Sequence, residues 1–374
     1  MTSEHATLLK DSVTDFVTRG TDIARVRALR GTPGEYDRGI WKQMAELGWL
    51  GIALPESYGG MGLGLSETAI VAEGLARSLA PEPFTSCAVL ASGVLAACDN
   101  EPLKREILPA IVSGDLVASL AWQEEAGALG ADHIAMHATP FEGGYRLSGT
   151  KRYVAGAAGA DAYVVATRAD SGFVLAYIDS KAPGVSCDLE PLADGRHFGT
   201  VQLDDVVVPR DRVAASGSAA SEALARGLDH ATAIAGAELY GVMSRALEMS
   251  VDYMKTRVQF GKPIGSFQAL QHRAVDLYIQ QQLASAVLED SLRELDAAPQ
   301  PRERAAIASR LKARASDAGV RITREAIQIH GAIGFTDEYD AGLYLKRALV
   351  LAAWLGNATT HRRRYASLAL GKES

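Results

Sequence analysis

The sequence predicts an α+β protein in which two helical regions flank a middle region of β-strands. Three observations support this prediction. The first and last thirds of the 374-residue chain repeat apolar residues at helical spacing, the middle third contains short β-branched segments, and the long C-terminal helices have short connections. We expect an all-helical N-terminal domain over residues 1–115, a middle β-sandwich or barrel over 116–215, and a C-terminal four-helix bundle over 222–374.

The N-terminal helices are predicted from the spacing of apolar side chains. Leu8, Val13, Phe16 and Val17 recur at intervals that place them on one helical face. A second amphipathic segment, YDRGIWKQMAELGWLGI, ends in the loop LPESYGGMGLGL, whose glycines and proline interrupt regular structure. Helical patterns then continue to about residue 115.

The middle strands are predicted from β-branched and aromatic residues bounded by Gly, Asp and Pro. The segments that fit are GGYRLSGTKRYV, DAYVVATR, GFVLAYIDS and TVQLDDVVVP. Several short strands in succession indicate a small sandwich or barrel.

Long periodic stretches in the last third are predicted to be helices. They cover residues 222–257, 267–295, 302–331 and 344–370. The third ends at Gly331, a residue typical of helix C-termini. Four long helices with short connections favour an antiparallel bundle.

Composition excludes several classes of function. The net charge of −7 argues against nucleic acid as a partner, because binding phosphates requires a basic face. The three cysteines lack metal-type spacing, so we expect reduced thiols and no metal site. The N-terminus has acids where a signal peptide needs a basic and then an apolar run, and no apolar run reaches the ~18 residues of a membrane span. We therefore expect a cytoplasmic protein that does not bind membranes.

Two polar stretches at helix ends are candidates for ligand binding. TRVQFGKPIGSFQALQH, from Thr256, places Arg257 near Gln259 and Gln268, which suits a ligand that carries phosphate. AIQIHGAIGFTDEYD, from Ala326, ends a helix in small residues that allow close approach of a ligand to the backbone. Taken singly, each stretch has an ordinary alternative, namely a surface arginine and a glycine helix cap.

Together these stretches resemble the two signature segments of the flavin-dependent acyl-CoA dehydrogenase family. The stretch ELGWLGIALPESYGGMGLGLSETAIVAEGLARSLAPEPF resembles the N-terminal helical domain of the same family. The resemblance implies FAD as cofactor and a coenzyme A thioester as substrate. It implies that a Glu takes the α-proton while the β-hydride goes to flavin N5, with an electron-transfer flavoprotein as the usual acceptor.

The resemblance also implies an active site that two subunits share. One subunit supplies the base and the cradle around the flavin ring, and its neighbour reaches over to hold the FAD pyrophosphate and adenosine. The residues of this chain that match the reaching segments are Arg257, Gln259, Phe260, Gln268, Gln328, Gly331, Ala332 and Gly334. Ala332 replaces a family glycine, which preserves close approach provided that the position does not need positive φ.

The cradle half departs from the family pattern. Glu124 is present in QEEAGALGAD, but Gln123 replaces the family's Thr, and Leu129 and Gly130 replace its Ser-Asp pair. Ala155 stands where the family has a Thr whose hydroxyl bonds the flavin N5 region. The resemblance therefore implies a weakened flavin pocket in this chain.

The family's catalytic base is also absent. The commoner family position for the Glu aligns with Leu355, and the less common one aligns with Ala231. Asp229, His230 and Glu238 are nearby in the sequence, but Glu238 is about two helical turns, roughly 10 Å, from Ala231. We interpret Glu238 as a buried acid in a polar network and assign no catalytic residue.

The expected function is that of an acyl-CoA dehydrogenase subunit without its own base. The chain resembles the subunit that lacks the Glu in α₂β₂ acyl-CoA dehydrogenases of actinobacterial steroid side-chain degradation. Its expected partner is a homologous subunit that bears the catalytic Glu. Two alternatives are open: a homotetrameric dehydrogenase or oxidase with a displaced base such as Asp229, and a flavin- or acyl-CoA-binding homologue without redox turnover.

Overall fold

The computed structural model describes residues 3–20, 23–30, 32, 36–127, 129–170 and 172–370. Within these residues no helix combines the length and the apolar content that crossing a membrane requires.

The N-terminal third is helical, as predicted. Its α-helices are α1 (Ser3–Gly20), α2 (Ile23–Leu29), α3 (Arg38–Glu46), α4 (Leu65–Arg77), α5 (Ser92–Ala97) and α6 (Glu101–Val112), with a buried π-helix at Phe84–Ala91. Side chains define two of the starts. Asp37 accepts the Gly39 N–H at 2.6 Å, and Asn100 accepts the Leu103 N–H at 3.1 Å.

The middle third forms two four-stranded sheets. The strands are β1 (Ala118–Ala121), β2 (Ala138–Phe141), β3 (Gly144–Ala155), β4 (Ala162–Ala169), β5 (Gly172–Asp179), β6 (Val185–Pro191), β7 (His197–Pro209) and β8 (Val213–Ser216). Their orders are β1-β4-β5-β8 and β2-β3-β7-β6. The β1–β4 pairing is parallel, and the other pairings between these eight strands are antiparallel. Val165 and Val174 of the first sheet share one apolar cluster with Leu147 and Val201 of the second. This shared cluster is the core of a β-sandwich.

The last third is a helical bundle with one small hairpin. Its elements are α7 (Gly217–Thr256), β9 (Val258–Gln259), β10 (Lys262–Pro263), α8 (Gln268–Asp296), α9 (Pro301–His330), α10 (Ala341–Ala353) and α11 (Ala358–Leu370). Leu239, Met243, Ala318, Ile322 and Ala348 belong to its buried core.

The prediction of one continuous helix over 344–370 is wrong. Leu355 and Gly356 take φ of 58° and 96°, which a continuous α-helix does not allow. The chain therefore breaks between α10 and α11. The ammonium of Lys312 accounts for this break, because it donates to the carbonyls of Trp354 at 2.9 Å and Gly356 at 3.0 Å.

Contacts group the chain into two compact units. The helical unit comprises residues 1–28, 69–80 and 232–374, and the mixed unit comprises 29–68 and 81–231. The division into three consecutive domains stays a prediction.

Candidate functional site

The first predicted segment forms a short hairpin directly after α7. The Arg257 N–H donates to the Tyr253 carbonyl at 2.8 Å. Strand β9 then pairs with β10 in the antiparallel sense, with Gln259 opposite Lys262. Phe260 lies at the tip. The structure thus brings three of the predicted residues to one exposed loop.

The hairpin turn holds the Phe260 ring in solvent. Phe260 and Gly261 take φ of 54° and 78°, and positive φ at both central residues is typical of a type I′ turn. This region of φ costs an L-residue about 1–2 kcal/mol. The Phe260 side chain is nevertheless 92% exposed, and its ring meets Phe267 edge-on with centroids 6.1 Å apart. Backbone strain of this kind is common at ligand-binding sites, which agrees with the predicted role of Phe260.

Two polar side chains of this segment are available to a ligand. Arg257 is exposed, and none of the ion pairs among the described residues involves its guanidinium. Gln268 is the exposed first residue of α8, where peptide N–H groups have no acceptor within the helix. A guanidinium and a helix N-terminus both favour anions, so this surface suits phosphate groups.

The second predicted segment is the C-terminus of α9 and the turn that follows. Gln328 is exposed in the last helical turn, two residues before the helix ends at His330. Gly331 takes φ 66° and ψ −137°, which other residues adopt only with strain. Gly334 is buried, and a Cβ at this position would lie 2.9 Å from the Ile327 carbonyl oxygen. Both glycines are therefore required by the backbone.

Ala332 occupies the position where the family has a glycine. It lies inside a 3-10 helix, Gly331–Phe335, and is not among the described residues with positive φ. Alanine can replace the glycine here because this position does not need positive φ. The Ala332 side chain is exposed.

The two segments meet through aromatic rings. Tyr253 lies in the last turn of α7, and its ring packs on His330 with centroids 4.5 Å apart. All eight predicted residues lie in the helical unit.

In the mixed unit, the carboxylate of Glu124 is occupied by internal contacts. The fully buried Lys151 ammonium donates to it at 2.5 Å, and the N–H groups of Ala135 and Met136 donate at 2.9 and 3.0 Å. Burial opposes ionisation, but the hydrogen bonds from Lys151 and Ala135 hold the pKa of Glu124 below its usual value. Burial also lowers the pKa of Lys151. Glu124 is therefore a structural residue of this loop.

The other substituted positions of the mixed unit offer few side-chain donors. The Gln123 amide donates to the Glu125 carbonyl at 2.9 Å and so is used within its own loop. Leu129 and Ala155 are half-buried and carry no polar side-chain atom. These two side chains therefore provide no hydrogen bond to a ligand.

Neither aligned position of the base carries a titratable group. Leu355 is 5% exposed in the connection between α10 and α11, and Ala231 is fully buried in α7. Glu238 is 9% exposed and accepts from the Arg347 guanidinium at 2.5 Å. The interpretation of Glu238 as a buried acid with a polar partner is confirmed. Asp229 is 1% exposed, and its role as a displaced base is untested.

The residues that support these positions were not predicted from the sequence. Lys312 and His361 are fully buried beside the turn that contains Leu355. Tyr339 contacts His330 under the second segment, with an oxygen-to-nitrogen distance of 3.0 Å. The signal for Lys312 is weak, because a single lysine in an amphipathic helix is ordinarily exposed.

Comparisons with known proteins cover nearly the whole chain. The family model "Acyl-CoA dehydrogenase, N-terminal domain" matches residues 3–115, and "Acyl-CoA dehydrogenase, C-terminal domain" matches 221–369. Acyl-CoA dehydrogenase FadE27 of Mycobacterium tuberculosis is 31% identical over 88% of this chain and 87% of its own length. Acyl-CoA dehydrogenase IpdE2 of Mycolicibacterium smegmatis is 31% identical over 97% of this chain and 98% of its own length.

Two solved structures are similar in both fold and sequence. The ChsE4-ChsE5 complex from Mycobacterium tuberculosis contains a chain with a TM-score of 0.90 and 28% identity, covering 100% of this chain and 99% of that chain. A variant of the Tcur3481-Tcur3483 steroid ACAD has a TM-score of 0.88 and 29% identity, covering 99% of each chain. The expected fold and the expected cofactor, FAD, are confirmed, and the chain belongs to the acyl-CoA dehydrogenase family of oxidoreductases.

Proposed function

We propose that this chain is the subunit of a heteromeric acyl-CoA dehydrogenase that completes the FAD site of a homologous, Glu-bearing partner. One observation carries the proposal. The segments that would reach a neighbour are formed and present exposed side chains, among them Arg257 and Phe260, whereas the chain's own aligned base positions hold Leu355 and Ala231. If the chain had lost its function altogether, substitutions would be expected in both halves of the shared site, including the segments that act on another subunit.

The reaching segments fit a dinucleotide. Arg257 would bind the pyrophosphate, since a guanidinium forms charge-assisted, bidentate bonds with phosphate oxygens. Phe260 and the backbone of the Gly331–Phe335 turn would contact the adenosine, and Gln259, Gln268 and Gln328 would supply polar contacts. When bound, FAD supplies the acceptor for the hydride removed from the acyl group.

The chain's own cradle does not fit the flavin ring in the same way. Leu129 and Ala155 provide no hydroxyl, and the Gln123 amide and the Glu124 carboxylate are held by internal hydrogen bonds. We therefore expect FAD to be seated in the partner, with two FAD sites in an α₂β₂ assembly. The family's usual acceptor, an electron-transfer flavoprotein, is proposed for the complex on resemblance alone.

The proposed substrate is a bulky acyl-CoA thioester such as a steroid side-chain derivative. Support comes from the Tcur3481-Tcur3483 protein, which is described as a steroid ACAD, and from ChsE4-ChsE5, which is described as a complex of two proteins. The reaction is α,β-dehydrogenation, with the partner's Glu as the base that takes the α-proton.

The first experiment compares the chain expressed alone with the chain co-expressed with a Glu-bearing homologue. We expect the lone chain to purify without flavin absorbance, and the complex to be yellow and to dehydrogenate acyl-CoA. Full FAD occupancy and turnover in the lone chain would overturn the proposal and favour the homotetramer.

The second experiment substitutes Arg257→Ala in the complex. Loss of a charge-assisted bond to phosphate should weaken FAD binding by about 10- to 100-fold. Arg293→Ala is the matched control, because Arg293 is also an exposed arginine but lies near the other end of α8. Equal FAD retention in the two variants would contradict the assignment of Arg257.

A further inference from the structure

Three aromatic rings form a cluster beneath the two reaching segments. His330, the last residue of α9, lies between Tyr253 of α7 and Tyr339, with ring centroids 4.5 Å from each. The two tyrosine rings also meet edge-on at 6.1 Å. His330 is 3% exposed, so the cluster is part of the packed interior of the helical unit.

Hydrogen bonds fix the orientation of the His330 ring. Its Nδ1 lies 2.7 Å from the Ala326 carbonyl oxygen, and its Nε2 lies 3.0 Å from the Tyr339 hydroxyl. A carbonyl can only accept, so Nδ1 donates to Ala326, while Nε2 pairs with the Tyr339 hydroxyl. Burial lowers the pKa of His330, which favours the neutral imidazole.

Each side of the cluster continues directly into one reaching segment. The Tyr253 carbonyl accepts the Arg257 N–H at 2.8 Å, and this bond closes the last turn of α7 directly before the hairpin. On the other side, a Cβ at Gly334 would lie 3.1 Å from the Cβ of His330, so the turn packs on the histidine itself.

The residues around Tyr339 are held by a cation from α2. The Arg27 guanidinium pairs with Asp337 at 3.3 Å and with Asp340 at 2.8 Å. Arg27 lies in the same helical unit. These ion pairs hold the chain on both sides of Tyr339, so that its hydroxyl can orient His330.

We propose that His330 is a positioning residue that sets the distance between the Arg257 hairpin and the Gly331–Phe335 turn, so that both contact one dinucleotide. This inference rests on the proposed function, because it concerns the same FAD. Two contact segments bind one ligand more tightly when their spacing is fixed before binding, since less conformational freedom is lost. His330 would act on FAD affinity without touching FAD.

The test is a double-mutant cycle in the complex with the Glu-bearing partner. The variants are Arg257→Ala, His330→Phe and the double variant, and FAD dissociation is followed by the fluorescence of released flavin. His330→Phe keeps an aromatic ring but loses both hydrogen bonds, and we expect about tenfold weaker FAD binding. In the Arg257→Ala background, His330→Phe should have a smaller effect, at most about twofold, because the hairpin has lost its charge-assisted bond to phosphate and keeps only the weaker contacts of Gln259 and Phe260.

A purely structural role predicts a different pattern. It would lower the unfolding temperature of the FAD-free complex and weaken FAD binding equally in both backgrounds. Additive effects, or FAD binding unchanged by His330→Phe, would overturn this inference while leaving the proposed function intact. Unchanged FAD binding in Arg257→Ala would instead overturn the proposed function and this inference together.

Tyr339→Phe provides a second test if His330→Phe does not fold. It keeps all three rings and removes only the hydroxyl that bonds Nε2 of His330. We expect FAD binding to weaken several-fold in the Arg257 background and to be unaffected in the Arg257→Ala background. Equal effects in the two backgrounds, or none in either, would contradict the inference.

Discussion

Lys312 and His361 bind the backbone of the turn at which the family's base would lie. The Lys312 ammonium donates to the carbonyls of Trp354 and Gly356 at 2.9 and 3.0 Å, and Nε2 of His361 lies 2.8 Å from the Leu355 carbonyl oxygen. Both side chains are fully buried. These two residues therefore stabilise the turn through its carbonyls, independently of which side chain stands at 355.

Introducing a carboxylate at this turn tests whether the base alone is missing. We expect Leu355→Glu to leave the lone chain without FAD and without activity, because the positions of Leu129 and Ala155 still lack hydroxyl donors. Leu355 is 5% exposed, so the new carboxyl should cost roughly 3 kcal/mol of unfolding free energy. Urea unfolding, visible absorbance and an acyl-CoA assay measure these outcomes, and turnover by the lone variant would contradict the proposal.

The buried imidazole of His361 makes stability depend on pH. Burial, with the neighbouring charge of Lys312, lowers its pKa from 6.5 to about 3. The unfolded chain therefore binds more protons between these values, and the free energy of unfolding falls as the pH drops below about 6.5. The expected loss between pH 6.5 and pH 5 is about 2 kcal/mol from this residue.

His361→Gln is the matched variant for this pH effect. Gln can donate to the Leu355 carbonyl, as the imidazole does, but it does not titrate. Urea unfolding at pH 7 and pH 5 should show a smaller loss of stability in the variant than in the natural protein. The same pH slope in both proteins would show that His361 is not the group responsible.

At the scale of elements, the turn after α9 requires a glycine at 331 for its backbone angles and tolerates an alanine at 332 beside it. Gly331 takes φ 66° and ψ −137°, whereas Ala332 lies in a 3-10 helix with ordinary backbone angles. The substitution of the family's second glycine by Ala332 is thus compatible with the turn.

These two neighbours form a matched pair for mutation. Gly331→Ala should lower the free energy of unfolding by about 1–3 kcal/mol, because an L-residue is strained in this region. Ala332→Gly should lower it by less than about 1 kcal/mol. Urea unfolding of the two variants tests this, and equal losses would contradict the difference in backbone strain.

Elements with a strong local pattern could be predicted from the sequence, whereas elements that depend on contacts with residues distant in the chain could not. The predicted strands correspond to β3, β4, β5 and β7, which are rich in β-branched residues. Strand β1, Ala118–Ala121, was missed because its small residues carry no strand signal, and it exists through its pairing with β4. The break before α11 was missed because it depends on Lys312, which is distant in the sequence.

At the scale of the whole molecule, α8 exposes an apolar stripe. Val275, Tyr278, Ile279 and Leu283 are each about half exposed, at 55%, 55%, 47% and 50%. Their spacing places them on one face of the helix, opposite buried residues such as Leu288. A contiguous apolar surface of this kind is unfavourable in a lone subunit and supports the proposed assembly.

The stripe predicts how the lone chain behaves in solution. We expect it to self-associate or precipitate, whereas the complex with a Glu-bearing homologue should be monodisperse. Ile279→Gln with Leu283→Gln should reduce self-association of the lone chain and weaken the complex, because both contacts are apolar. Size-exclusion chromatography with light scattering measures both effects, and a monodisperse lone monomer would contradict the expectation.

The parts of the candidate site that lie within short sequence motifs could be predicted from the sequence. The hairpin with Arg257 and the turn with Gly331 are each formed by one short stretch of consecutive residues, so each could be predicted from that stretch alone. The cluster of Tyr253, His330 and Tyr339 was not predicted, because aromatic residues far apart in the chain give no local signal of their contact. The heteromeric role depends on a second protein and stays a proposal.

The corner between α10 and α11 has a consequence for how such a subunit could arise. Because Lys312 and His361 bond its carbonyls, exchanging Glu for Leu there would remove proton abstraction while these backbone hydrogen bonds stay available. After a gene duplication, such an exchange, together with the changes at Gln123, Leu129 and Ala155, could thus separate the two tasks of an ancestral enzyme. One copy would keep the catalytic base, and the other would keep only the segments that bind the nucleotide of its partner.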